Sequence, residues 1–261
     1  MNLDLTNKNA LVCGSTQGIG KAAAIQLAKL GANVTLVARN ETTLKSVLAE
    51  LDTSANQKHQ FLCIDFTNPN DLKDKIAAFA AKNIVHILVN NTAGPAGGAA
   101  INAKLEEFIQ AFSNHLICNQ LLVQAVAEGM KKVNYGRIIN IISTSVKQPI
   151  KGLGVSNTIR GAVANWSKTL SVELAPFGIT VNNVLPGATK TIRLTSILEN
   201  KSKKTGESIE KVEAEMLAEI PAGRFAEAAE IANAVAFLAS PAAAYINGIN
   251  LPVDGGRTSC L

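Results

Sequence analysis

Seven short apolar runs, separated by helix-length amphipathic stretches, constrain this chain more than any other feature. The runs are NALVCG (9–14), NVTLVA (33–38), QFLCID (60–65), VHILVN (85–90), RIINIIS (137–143), ITVNNVL (179–185) and INLPVD (249–254). Most are apolar at successive rather than alternate positions, so both faces of each strand must be covered. Between them Ile19, Ala23, Leu27 and Leu30 form one helical stripe, and Leu72, Ile76 and Phe79 another. Strand alternating with helix predicts an α/β fold: a doubly wound parallel sheet of Rossmann type, seven strands flanked by helices, in a single domain. A chain of 261 residues, 47% of them apolar, suffices for one such core, and it has no internal repeat.

One interval breaks the rhythm. Residues 188–223 form a long polar connection that holds ENKSKKTGES and one short predicted helix, IEKVEAEMLAEI. A connection of this length predicts a substrate lid, with a peripheral excursion as the alternative.

Several function classes fit poorly. The N-terminal MNLDLTNKNALVCG lacks a basic-then-apolar leader, and no apolar run approaches the roughly 20 residues of a membrane span, so a soluble, cytoplasmic protein with no membrane partner is expected. Cys13, Cys63, Cys118 and Cys260 have no metal-ligand spacing, so no metal is expected and free thiols are. The net charge of +5 is spread along the chain, and its one cluster, KSKK at 201–204, is flanked by Glu199 and Glu207. No basic face for nucleic acid emerges, whereas a basic balance suits a cofactor or substrate with phosphate groups.

The first run leads into a glycine-rich turn. In LVCGSTQGIGKAAAIQLAKLGA, Gly14, Gly18 and Gly20 follow a strand and open a helix. Such glycines let the chain turn tightly and let backbone N–H groups approach a pyrophosphate on the helix N-terminus. The tip of the second strand separates the two nicotinamide dinucleotides. A carboxylate there binds the ribose 2′-hydroxyl of NAD, but this chain has Ala38 and Arg39, with Glu41 two residues beyond. A guanidinium pairs with a 2′-phosphate, so Arg39 favours NADP(H) unless it is simply a surface arginine.

These motifs, with CIDFTN, LVNNTAG, GRIINIIS, SKTLSVELAPFGITVNNVLPG and GRFAEAAEIANAVAFLASPAAAYINGINLPVDGG, resemble the short-chain dehydrogenase/reductase family over nearly the whole length. The likeness is greatest to its 3-oxoacyl-acyl-carrier-protein reductase branch. The resemblance implies that Ser15 and Ile19 join the glycines at the cofactor, that Asp65 and Phe66 lie at the adenine, and that Asn91 adjoins the ribose. Pro186, Gly187, Thr189 and Thr191 of PGATKT would hold the nicotinamide carboxamide. It further implies tetramers or dimers built on two long helices, about 103–132 and 156–175, the latter with Trp166, Leu170 and Leu174 at helical spacing.

The catalytic end departs from the family. There, a serine polarises the substrate carbonyl, a tyrosine thirteen residues on protonates it, a lysine four further on lowers the tyrosine pKa and binds ribose, and a helix asparagine holds a water relay. Ser143 matches the serine, but Ser156 stands at the tyrosine position, Arg160 at the lysine and His115 at the asparagine. A serine hydroxyl cannot reach the phenol's position and is a poor acid near neutrality. Arginine stays charged and cannot relay a proton. The remaining proton donors are His115, a water held by Ser143 and Ser156, and Lys147 or Lys151 on the adjoining loop. The resulting expectation is an NADP(H)-dependent enzyme that reduces a small-molecule carbonyl, a 3-oxoacyl or related ketone, with an atypical catalytic site. The rival is a cofactor-binding sensor or non-catalytic partner subunit.

Overall fold

Strands apolar on both faces need a layer on each side, and the chain supplies two. A computed structural model describes residues 1–260. Its strands are β1 (Asn9–Cys13), β2 (Asn33–Ala38), β3 (Gln60–Cys63), β4 (Ile87–Asn90), β5 (Gly136–Ile141), β6 (Ile179–Pro186) and β7 (Asn250–Val253), in one parallel sheet of order β3-β2-β1-β4-β5-β6-β7. The helices are α1 (Gly18–Lys29), α2 (Glu41–Leu48), α3 (Pro69–Ala80), α4 (Leu105–Phe112), α5 (Cys118–Lys132), α6 (Gly154–Leu174), α7 (Ile192–Thr205), α8 (Ile209–Ala218) and α9 (Ala228–Ala239). Successive strand residues point to opposite faces. Val12, Leu36, Val89 and Ile139 therefore pack with Leu27 of α1 and Val235 of α9, while Leu11, Leu88 and Ile138 pack with Ile76 of α3 and Leu122 of α5. The seven expected strands all form, with ends differing by a residue or two.

The rod expected over 103–132 has a break. A five-residue π-helical turn, Ser113–Ile117, joins α4 to α5 and carries His115 inward. Such widened turns recur at functional sites. Ahead of it, the loop after β4 reaches the start of α6: Gly98 N–H donates to Gly152 O at 2.7 Å, and Gly154 N–H donates to Gly98 O at 2.9 Å. A Cβ on Gly154 would overlap the Ala100 backbone, so this close crossing depends on glycine.

The interval 188–223 holds two helices rather than one. Leu194 and Leu198 of α7 meet Val212 of α8, Ile220 and Phe225 in a small separate cluster. Two leucines four residues apart are a thin stripe in so polar a segment. They become a helix face because α8 offers a partner.

A line of amides, buried except for half-buried Asn250, crosses the sheet. Asn90, Asn140, Asn183 and Asn250 stand side by side in register on β4 to β7. Asn90 Nδ2 donates to Asn140 Oδ1 at 2.8 Å, Asn140 Nδ2 to Asn183 Oδ1 at 3.0 Å, and Asn183 Nδ2 to Asn250 Oδ1 at 2.8 Å. Ser167 of α6 closes the network, accepting from Asn140 Nδ2 at 2.6 Å and donating to Asn183 Oδ1 at 2.7 Å. Each member limits how the next can turn. The variant Asn140→Leu, close in volume, leaves Asn90 Nδ2 without its acceptor and should lower stability in urea denaturation by on the order of 1–3 kcal/mol. A change below about 0.5 kcal/mol, the scale of a neutral surface substitution, would contradict this account.

Candidate active site

The strand order reverses between β1 and β4, and the carboxyl ends of the strands open there into a crevice, the usual ligand position in such sheets. Gly14 (φ +58°) and Gly18 (φ +54°) turn the chain from β1 into α1 through left-handed backbone. A Cβ on Gly14 would lie 2.5 Å from Asn91 O, and one on Gly20 would overlap the Gly14 carbonyl. Asn91 Nδ2 donates to Cys13 O and to Gly14 O, each at 3.3 Å, tying the end of β4 to the turn. Ser15, fully buried, accepts from Val37 N–H at 3.0 Å and so fixes the turn to β2. Ile19 is half-buried against the core beneath α1. The result is a rigid backbone cradle at the N-terminus of a twelve-residue helix, which suits an anion such as pyrophosphate.

Arg39 follows β2 directly and is exposed. It enters none of the ion pairs among the described residues, while Glu41 pairs with Lys45 at 2.7 Å along α2. The Glu41 carboxylate is thus turned to another cation, and the Arg39 guanidinium is left without an ion pair among the described residues. Asp65 lies past β3, its carboxylate accepting from Thr67 N–H at 2.9 Å; that bond above all holds its pKa below the usual carboxylate range, with Arg39 adding a little. Phe66 is half-buried beside it, and its carbonyl accepts from Cys118 Sγ at 3.4 Å. Opposite, Pro186 ends β6 and Gly187 N–H donates to Val253 O at 2.9 Å. Thr189 Oγ1 donates to Gly187 O at 3.0 Å and Thr191 Oγ1 to Thr189 O at 3.2 Å, which folds PGATKT into a tight corner. A Cβ on Gly18 would touch Thr191 Cγ2 at 3.1 Å, so this corner faces the glycine turn directly.

At the catalytic end Ser143 is half-buried just past β5, and its Oγ accepts from Ser145 N–H at 3.1 Å. Ser156 and Arg160 are one turn apart on α6 and both buried. Arg160 Nη1 donates to Ile141 O at 3.1 Å, which places the guanidinium beside the strand that leads to Ser143. Burial first, and the charge of Arg193 second, push its pKa down to about 10, so it stays a cation at neutral pH. His115 Nδ1 is 2.6 Å from Thr92 Oγ1, and burial first, then the Arg160 charge, lower its pKa to about 3. The imidazole is neutral at any working pH. Lys147 is half-buried and Lys151 exposed on the adjoining loop, and neither makes a side-chain ion pair among the described residues.

Two residues of this region had no role assigned from the sequence. Thr92 lies within LVNNTAG, and the π turn brings His115 against it. Arg193 is a lone arginine in a polar interval, yet α7 brings it to the loop after β4, where Nη2 donates to Pro95 O at 2.6 Å. A pairing of distant segments leaves no local pattern to read.

A family model described as enoyl-(acyl carrier protein) reductase matches residues 14–258. Among curated proteins, the NADPH-dependent reductase BacG of Bacillus subtilis is 31% identical over 256 residues, 97% of this chain and 98% of that protein. The 3-oxoacyl-[acyl-carrier-protein] reductase FabG of Escherichia coli is 36% identical over 255 residues, with the same two coverages of 97% and 98%. The crystal structure of YwfH, an NADPH-dependent reductase of bacilysin biosynthesis, superposes with a TM-score of 0.92 at 29% identity, covering 98% of this chain and 100% of that one. A family model matched over almost the whole chain, and relatives aligned end to end, agree with the sheet order and the glycine cradle: the chain belongs to the short-chain dehydrogenase/reductase family of oxidoreductases.

Proposed function

We propose that the protein is an NADP(H)-dependent carbonyl reductase whose proton delivery departs from the family's tyrosine–lysine pair. The observation that carries the cofactor assignment is Arg39, exposed at the tip of β2 and in none of the ion pairs among the described residues, next to an intact glycine cradle. The residues present fit the dinucleotide. Gly14, Ser15, Gly18, Ile19 and Gly20 would hold the pyrophosphate, Arg39 the 2′-phosphate, Asp65 and Phe66 the adenine, Asn91 the ribose, and Pro186, Gly187, Thr189 and Thr191 the carboxamide. Bound NADPH supplies the hydride. BacG and YwfH, both named as NADPH-dependent reductases, support the same choice.

The chain's own part is to place the carbonyl and handle one proton. Ser143 donates a hydrogen bond to the carbonyl oxygen and favours the charge that develops there. Ser156, whose hydroxyl finds no protein partner among the described hydrogen bonds, orients the water that gives the proton, since its own acidity is too low for that task. His115, held neutral, serves as a relay that accepts at one ring nitrogen and donates from the other. Arg160 anchors ribose or substrate. The substrate is a 3-oxoacyl-type or related ketone, in line with the relatives' names. Segment 188–223, with its own small core, acts as the lid.

The surroundings fit a cytoplasmic oligomer. Among the described residues no helix is long and apolar enough to cross a membrane. Trp166, Leu170 and Leu174 pack inward, with Trp166 Nε1 donating to Gln120 Oε1 at 2.8 Å. The bare apolar stripe lies instead on α4, at Leu105, Ile109 and Phe112, and it is the surface we assign to the subunit contact.

Three outcomes are expected. Fluorescence titration should give tighter binding of NADPH than of NADH, and Arg39→Ala should remove about 1.5–3 kcal/mol of that preference; equal affinities in the unaltered protein would contradict the assignment of Arg39. Assays of NADPH oxidation should show slow reduction of simple neutral ketones. Ser156→Tyr with Arg160→Lys should accelerate it, toward the roughly 100- to 10,000-fold worth of general acid catalysis, while either change alone does little. Tight NADPH binding with no turnover of any carbonyl, before or after the double change, would favour the sensor. The third concerns pH. His115 has a folded-state pKa of about 3 against an ordinary 6.5, so the unfolded chain takes up the proton first on acidification. Stability is therefore whole above 6.5 and falls below it, by up to about 1.4 kcal/mol per pH unit for one proton. Asparagine at this position should flatten the curve of Tm against pH between 6.5 and 4; an unchanged slope would mean that His115 is not buried neutral.

A further inference from the structure

Two guanidinium groups converge in the crevice with no acid between them. The Nη2 atoms of Arg160 and Arg193 lie 3.7 and 3.6 Å from the point that a Cβ on Gly94 would occupy. Each arginine is tethered to a backbone carbonyl: Arg160 Nη1 to Ile141 O at 3.1 Å, and Arg193 Nη2 to Pro95 O at 2.6 Å. Neither takes part in any of the ion pairs among the described residues. Arg160 is only 8% exposed, and the one charge that acts on it strongly enough to count is the like charge of Arg193.

Such an arrangement is costly unless something completes it. A buried cation is ordinarily paired with an acid, and two like charges brought together raise the cost. The free N–H groups of a guanidinium form a planar fork that matches a carboxylate in two parallel hydrogen bonds. An anion just beyond that point, in van der Waals contact with the Gly94 Cα, lies within reach of both arginines, and a side chain at position 94 would take its room. Arg193 comes from α7 and Gly94 from the loop after β4, so the same anion would draw the lid segment onto the crevice. The neighbouring imidazole, His115, is neutral and does not compete for the anion.

We propose that Arg160 and Arg193 form a clamp for a carboxylate on the substrate, so that, within the class of 3-oxoacyl-type and related ketones, the protein prefers a free oxo acid to a thioester or a neutral ketone. The proposal rests on the carbonyl-reductase reading and names its substrate class. The other anions that reach this crevice are the cofactor's phosphates, and the experiment separates the two sources.

Two measurements decide it. In calorimetry, malonate, an unreactive carboxylate probe, should bind the protein saturated with NADP⁺, and Arg193→Met should weaken that binding at least tenfold. Arg193 is exposed, so its replacement should leave the fold intact; equal Tm values check this. In NADPH oxidation, acetoacetate should surpass its methyl ester and its N-acetylcysteamine thioester by on the order of 100-fold in kcat/KM, the worth of a charged hydrogen-bonded pair. The variant should collapse that ratio through KM, and Arg193→Lys should restore part of it. The Kd for NADPH should change less than twofold. A variant that loses tenfold or more in NADPH affinity while keeping the acid-over-ester ratio would overturn the proposal and assign the clamp to the cofactor. Equal use of acid and ester, with no malonate binding, would overturn it as well. If no carbonyl is reduced at all, the reductase reading fails, and malonate binding alone still decides whether the clamp exists.

Discussion

Everything at the crevice depends on how closely the backbone of β1 can approach that of β4. The turn after β1 passes so near Asn91 that no side chain fits at Gly14, and α1 starts so near the same turn that none fits at Gly20. The Asn91 carboxamide then bonds to the carbonyls of Cys13 and Gly14 from the other side. This contact sits where the strand order reverses, and it fixes the N-terminus of α1 relative to the ends of the neighbouring strands. A phosphate cradle built from backbone N–H groups works only if the backbone itself cannot drift.

From that fixed edge the buried amides carry order across the sheet. The ladder from Asn90 to Asn250 starts one residue before Asn91 and ends on β7, the strand whose far end, Val253, bonds to Gly187. Hydrogen-bonded amides in a dry interior tolerate little displacement, because a broken member leaves a buried polar group unpaired. The two sides of the cofactor crevice, β1–β4 and β6–β7, are thereby held in one register.

The end of the crevice around α6 has an electrostatic plan of its own. Burial, and then the charge of Arg160, keep His115 neutral. A neutral imidazole, a buried serine and two cations make a site rich in hydrogen bonding to anions and poor in strong acids. Such a site is better fitted to hold a charged substrate than to deliver a proton from a phenol.

The layer plan and the glycine turn were already set in the order of the residues. Both are written in local pattern: unbroken apolar runs, helical stripes, and glycines spaced between a strand and a helix. The same local reading made one short helix of 188–223, because Leu194 and Leu198 acquire meaning only opposite Val212 and Phe225. The asparagines of β4, β5, β6 and β7 were likewise four separate residues until strand register aligned them. Only the tertiary structure brought Thr92 to His115 and Arg193 to Arg160, across 23 residues in the first case. Hydrophobic period is a property of one segment, but an electrostatic partner is chosen by the meeting of segments far apart in the chain. For that reason the fold and the glycine turn were legible in the letters, and the pairing of charges across the crevice was decided in three dimensions.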